Sequence, residues 1–328
     1  MPKESTYHFI PKQFIENNTD FPSLMTHLEQ AFSNRMIIVP KRHHHELLNK
    51  SHSSSTLLIM PAWENGHDAG IKIVTVNPDN TKHTLSSIQG SYLYTDALTG
   101  QKKADIEATS LTAYRTAATS ALASKYLSLK TADSLLMIGT GMLAIPLILA
   151  HHSVRNLKKV FVWGRNIQKA NDIVDRLKNQ TFEISSTHSI EKVFDQADII
   201  SAATLSKTPL IKGEYLRPGQ HVDLVGSFKP DYRESDDQCI IRSTLFVDTV
   251  QNINQSGDLA IPIKKGVISI GNVEADLFDL CGGNNLGRKS ENQITLFKSV
   301  GYALEDLAAA RYYYHLFTNV HQQETLSS

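Results

Sequence analysis

Apolar and polar positions along the chain fall into two regimes. Up to about residue 100, short runs rich in β-branched and aromatic residues alternate with turn signals. Residues 56–63, 70–76 and 90–95 are predicted strands, separated by Asn65-Gly66, Asn77-Pro78-Asp79-Asn80 and Thr99-Gly100. Asp20-Phe21-Pro22 is predicted to open a helix, with proline near the first turn. The serine-rich stretch 51–55 reads as a polar loop. This first regime implies a small, largely antiparallel sheet. An alanine-rich, helix-compatible segment at 109–127 then leads into the second regime. There, predicted strands at 134–138, 159–163, 198–202, 221–225 and 245–247 alternate with helical stretches, the pattern of a parallel, doubly wound sheet. A strong helix at 301–316 lies too far along to belong to that sheet and is expected to return to the first domain.

At 328 residues the chain exceeds what one core usually holds, so two domains are expected. The boundaries drawn are 1–115, joined by a C-terminal helix at 305–328, and 116–304. The fold class is α/β: a Rossmann-type doubly wound parallel sheet plus a smaller α+β domain. Lys plus Arg equals Asp plus Glu at 33 each, which provides no basic field for nucleic acid. Cys239 and Cys281 are too few for a disulfide framework and fit buried thiols of a reducing compartment. The first residues carry no apolar signal core, and no apolar stretch is long enough to span a bilayer. These features predict a soluble, cytoplasmic protein with a small-molecule partner and no membrane.

Chemistry enters at Leu135-Leu136-Met137-Ile138-Gly139-Thr140-Gly141-Met142-Leu143-Ala144, an apolar strand running into a Gly-x-Gly-x-x-Ala turn. Gly139 allows a tight turn, Gly141 lets the backbone approach a pyrophosphate, and Ala144 permits close packing of helix on strand. A second apolar strand follows at Val160-Phe161-Val162-Trp163, and then Gly164-Arg165-Asn166. NAD sites usually place an acidic residue there to bind the ribose hydroxyls, and none is present. Arg165 instead offers a charged fork suited to a 2′-phosphate, so NADPH is the expected cofactor, with NADH possible.

Strand alternation puts Ile71 and Ile73 on one face and Lys72 with Val74 on the other, so Lys72 is either solvated or an ammonium aimed into a cleft. Arg42 is ambiguous in the same way, and Arg115 interrupts an otherwise small, apolar helix. Of the adjacent histidines only His43 and His45 could share a metal, and no Cys or HExxH-type partner lies nearby, so no metal is expected.

Taken in order, Gly70-Ile71-Lys72-Ile73-Val74, Leu111-Thr112-Ala113-Tyr114-Arg115-Thr116-Ala117-Ala118, Gly139-Thr140-Gly141, Val225-Gly226-Ser227, Ser256-Gly257-Asp258, Phe297-Lys298-Ser299-Val300-Gly301 and Leu304-Glu305-Asp306 resemble the ornithine cyclodeaminase and mu-crystallin family. The resemblance covers nearly the whole chain. Val39-Pro40-Lys41-Arg42-His43-His44-His45 and Met60-Pro61-Ala62-Trp63 look most like its bacterial ketimine reductases. It implies that Lys72 is catalytic and that Arg42 and Arg115 bind the substrate carboxylate, with Ser87 helping to position the ring. It further implies cofactor contacts at Met142, Leu143, Arg165, Thr204, Ser227 and Ser299 beside the two turn glycines, and pairing of the first domain into a homodimer. One departure matters: the cyclodeaminases carry Gly-Gly-Asp where this chain reads Gly226-Ser227-Phe228, so a deaminating carboxylate is missing. The expected activity is therefore NAD(P)H-dependent reduction of Δ1-pyrroline-2-carboxylate to L-proline and of Δ1-piperideine-2-carboxylate to L-pipecolate. The rivals are ornithine cyclisation and a mu-crystallin-like binding role without turnover.

Overall fold

A computed structural model describes residues 7–48, 54–77, 79–80, 84–86, 88–227 and 229–327, and the chain divides into two units, Met1–Arg115 with Tyr302–Ser328, and Thr116–Gly301. In the first, Asp68–Val76 pairs antiparallel with Ser54–Glu64 on one side and Ile88–Asp96 on the other. Lys102–Glu107 continues the meander, while His43–Leu48 and Ile37–Ile38 pair with Ser54–Glu64. His8–Ile10 adds a parallel pairing against Lys102–Glu107, so the sheet is largely, not wholly, antiparallel. The predicted strands fall inside the observed ones. Part of the predicted serine loop does not hold: Ser54 and Ser55 open a strand, paired with Leu48 and Leu47, while 51–53 lie outside the described residues. Backbone pairing overrides serine's preference for turns there.

The helix Ala303–Ser327 packs on this sheet, and Phe21–Asn34 packs on that helix. Phe21–Asn34 opens as predicted: the Asp20 carboxylate accepts from the Ser23 amide at 2.9 Å and Pro22 lies in the first turn. Its Phe21, Leu24, Met25, Leu28, Ala31 and Phe32 form one buried stripe. The C-terminal helix Ala303–Ser327 belongs to this unit. It starts two residues later than the sequence pattern suggests because Gly301 takes φ +85°, outside the helical region.

The second unit is a parallel sheet in the order Glu183–Thr187, Lys159–Trp163, Ser134–Ile138, Ile199–Ala202, His221–Leu224, Thr295–Lys298, Thr244–Val247, Val273–Asp276. Every neighbouring pair in it is parallel. The central strands are buried on both faces: Ser134–Ile138 accordingly reads as an apolar run, while His221–Leu224 keeps His221 and Asp223 inside through hydrogen bonds to Thr295 and Ser201. Glu183–Thr187, Val273–Asp276 and Thr295–Lys298 escape the sequence pattern because they are short and polar in part. From Ser134–Ile138 the chain builds outward first through Lys159–Trp163, then on the other side through Ile199–Ala202, so the switch in direction falls beside the glycine turn. The fold is α/β and Rossmann-type. Among the described residues no helix is long and apolar enough to cross a membrane.

Candidate active site

The first unit carries a buried ionic cluster. Alternation separates Lys72 from Ile71 and Ile73 but leaves its direction open; the fold turns Lys72 inward, only 3% exposed, and leaves Ile71 and Ile73 on the other face at 37% and 44%. Its Nζ donates to Asp306 Oδ1 at 2.8 Å and lies 3.4 Å from Thr112 Oγ1. Arg115, one helical turn beyond Thr112 on the helix Ala108–Leu127, is buried as well. Its Nη1 pairs with Glu305, and its Nε lies 2.8 Å from the same Asp306 Oδ1 that holds Lys72. Glu305 and Asp306 occupy the first turn of the C-terminal helix, where the helix dipole favours negative charge. Two cations thus meet two carboxylates, the condition under which buried charge is tolerable. Burial drives the Lys72 ammonium down to about 8, resisted mainly by Asp306 and reinforced by the positive charge of Arg115.

Arg42 is half-buried and immediately precedes the strand His43–Leu48. That strand begins with His43 opposite Ile59, one residue from the Met60–Lys72 pair. His44 is held below its ordinary pKa by burial and then by the Arg42 charge. His43 and His45 share a face, with parallel rings 6.1 Å apart. Among the described residues no group of three His, Cys, Asp or Glu is arranged to hold a metal. Ser87 and Phe228 both lie outside the described residues.

In the second unit the remaining candidates sit just past the carboxyl ends of five neighbouring strands: Arg165, Gly139, Thr204, Ser227 and Ser299. Gly139 has φ +122° and its amide donates to the Trp163 carbonyl at 2.8 Å; a Cβ there would lie 2.5 Å from the Ala203 carbonyl oxygen. A Cβ on Gly141 would meet nothing within 4 Å, so that backbone faces open space. Met142 is exposed, and Leu143 caps the helix Ala144–Val154. Arg165 is exposed, beside Asn166, whose side chain caps the helix Ile167–Leu177. The Ser299 amide extends the ladder by donating to Leu224 O at 3.1 Å.

Three further residues of this unit, Glu234, Asp258 and Lys298, were given no role by the sequence reading. Glu234 is fully buried and accepts from the Thr204 amide at 2.6 Å, the Thr204 hydroxyl at 2.9 Å and the Gly226 amide at 2.7 Å. It thereby ties together the turns that carry Thr204 and Ser227. The Ser227 hydroxyl donates to the Tyr232 carbonyl and accepts from Ser256 at 3.2 Å. Lys298 lies 3.7 Å from Asp258, both fully buried, and Asp258 Oδ1 accepts from the amides of Glu234 and Ser235 at 2.9 Å each. Burial pushes the Glu234 carboxyl up to about 8 against the pull of Lys298. Glu234 sits in the polar run Arg233-Glu234-Ser235-Asp236-Asp237, which looks like solvated surface, so only the fold reveals it. Asp258 and Lys298 lay within quoted motifs, and nothing local marked them as partners.

A parallel doubly wound sheet with a glycine turn at its switch point defines a dinucleotide-binding protein of the Rossmann class. The chain belongs to the ornithine cyclodeaminase/mu-crystallin family, whose family model matches residues 9–320. It is 37% identical over 308 residues to a Δ1-pyrroline-2-carboxylate reductase of Colwellia psychrerythraea, covering 92% of this chain and 96% of that protein. An uncharacterised protein of Schizosaccharomyces pombe is 41% identical, over 92% of this chain and 95% of its own length. Among solved structures, the Thermococcus litoralis Δ1-pyrroline-2-carboxylate reductase in complex with NADH and L-proline superposes with a TM-score of 0.87 at 34% identity, covering 94% of this chain and 96% of that one.

Proposed function

We propose that this protein reduces cyclic ketimines with NADPH, converting Δ1-pyrroline-2-carboxylate to L-proline and Δ1-piperideine-2-carboxylate to L-pipecolate. The observation that carries the reading is Lys72: a buried ammonium, poised near 8, fixed by Asp306 beside Arg115. Named relatives that reduce the five-membered imine support it. A general acid works best with a pKa near the operating pH, and Lys72 meets that condition.

The open space at Gly141 and the positive φ of Gly139 fit a dinucleotide pyrophosphate, which Gly139, Gly141, Met142 and Leu143 would hold. Thr204, Ser227 and Ser299 would line the remainder, and Arg165 would take a 2′-phosphate. The bound cofactor supplies a hydride to the imine carbon. Lys72 supplies the proton to the ring nitrogen, whose basicity rises as the C=N bond is reduced. Arg115, its orientation set by Glu305 and Asp306, and Arg42 hold the substrate carboxylate; Ser87 steadies the ring.

The homodimer belongs to the same reading. The outward face of the first sheet carries Phe9 and Ile71 in one cross-strand row through Asp105 and Leu93, with Ile73 next on the same face of the Ile71 strand, all three exposed, and a second copy would cover them. Light scattering at micromolar concentration should give a dimer mass, and Ile71→Glu with Ile73→Glu should give a monomer. The compartment we propose is the cytoplasm, in keeping with Cys239 and Cys281, both outside any disulfide.

The deciding assay follows NADPH and NADH oxidation with both imines, alongside ammonia release from ornithine. Imine-dependent oxidation supports the reading. Ammonia release without it means cyclodeamination, and tight NADPH binding with neither means a binding role.

A further inference from the structure

We propose that Lys72 is reprotonated from within the first unit, along a path Asp68–Tyr92–Asp306–Lys72 that opens on a polar cavity. The proposal rests on the reading of Lys72 as the proton donor. Each reduction takes one proton from its ammonium, and at 3% exposure the amine has little direct access to solvent.

The path follows from strand geometry. Asp68, Gly70 and Lys72 alternate along one strand and share its inward face. Tyr92 stands directly across from Lys72, and Tyr94 directly across from Gly70. Because Gly70 has no side chain, the Tyr92 phenol lies over it: a Cβ on Gly70 would sit 2.1 Å from the Tyr92 hydroxyl oxygen. That hydroxyl is thus placed at the strand position midway between Lys72 and Asp68. At one end, Lys72 donates to Asp306 Oδ1 at 2.8 Å. At the other, Asp68 Oδ2 accepts from the Tyr94 hydroxyl at 2.6 Å and from Arg311 Nε at 2.7 Å. Asp68 and Arg311 also line a cavity of about 300 Å³ that includes Glu64, His27, His67 and His315.

Two buried atoms on this line have no hydrogen-bond partner among the described residues, the Tyr92 hydroxyl and Asp306 Oδ2. Buried polar atoms are seldom left so, and two of them along one path point to a bridging water. The charged and titratable groups around Tyr92 are Lys72 and Asp68 on the neighbouring strand, Tyr94 on its own, and Asp306 and Arg311 on the C-terminal helix; Glu305 and Arg115 complete the Lys72 end. Burial, then the carboxylates of Asp306 and Asp68, hold the Tyr92 phenol well above its ordinary pKa, so it stays neutral and can accept one proton while releasing another. The balance is one proton in from the cavity at Asp68 and one proton out at the neutral Lys72 amine. No bond other than O–H and N–H changes.

Two measurements test the path, and they fail separately. A high-resolution crystal structure of the ligand-free protein should show a water within hydrogen-bond distance of both the Tyr92 hydroxyl and Asp306 Oδ2; a dry gap overturns the path whether or not the protein reduces imines. Tyr92→Phe keeps the ring and removes only the hydroxyl. At saturating imine and NADPH it should lower kcat by about tenfold, leave both KM values unchanged and enlarge the solvent deuterium isotope effect on kcat. If wild type is active, Lys72→Met is inactive and Tyr92→Phe matches wild type in kcat and isotope effect, the path is wrong and the proton-donor reading stands. If wild type reduces neither imine, the proton-donor reading falls and the reprotonation path that rests on it falls with it.

Discussion

The glycine turn at Gly139 and Gly141 and the Lys72 cluster are built by opposite means. The turn uses backbone: Gly139 adopts a conformation that L side chains rarely adopt, and Gly141 leaves its approach clear. Its parts lie within a few residues, so a short sequence motif specifies it. The Lys72 cluster uses side chains drawn together from afar, Lys72 reaching Asp306 across 234 positions and Arg115 reaching Glu305 across 190. A backbone site tolerates changes in surrounding side chains. A charge cluster is as sound as its least compensated member, because any group removed leaves a buried opposite charge.

The largest expected effect tests the cluster. Lys72→Met should keep fold and NADPH affinity yet lose about 10² to 10⁴ in turnover, the usual worth of a positioned general acid. Stopped turnover beside a cofactor titration checks it, and a fully active variant removes the mechanism. On the backbone side, Gly139→Ala should lower both melting temperature and cofactor affinity, since a non-glycine residue in such a conformation costs about 1 to 3 kcal/mol and its Cβ meets the Ala203 carbonyl. Gly141→Ala should leave melting unchanged and weaken NADPH alone, because its Cβ meets nothing in the protein and enters the open space proposed for the pyrophosphate. Equal losses of stability in the two variants would erase that distinction.

A subtler effect concerns pH. In the proposed mechanism the ammonium form of Lys72 is the acid, so kcat should fall as pH rises through about 8. In Asp306→Asn the ammonium loses the charge that most raises its pKa, so the falling limb should move to lower pH. A profile unmoved by the substitution would detach Asp306 from the acid. The smallest effect is at the exposed Arg165: Arg165→Ala should raise KM for NADPH by about tenfold and hardly alter KM for NADH, since only NADPH loses a charge-assisted contact. Equal changes for both cofactors would remove the phosphate assignment.

The sequence alone determined the Rossmann-type class, the strand-turn-helix around Gly139 and the separation of Lys72 from Ile71 and Ile73 onto opposite faces of a strand, because periodicity and glycine geometry are local properties that survive in linear order. Tertiary structure alone decided that Lys72 is buried and held by Asp306, that Arg115 is already engaged by two carboxylates, and that Glu234 braces the Thr204 and Gly226 turns. It likewise turned Ser54 and Ser55 into strand and supplied the interior strand Thr295–Lys298. The physical reason is the same in each case: a charge is shifted, satisfied or left orphaned by whatever lies within a few ångströms, and the chain order does not record which distant residue that will be.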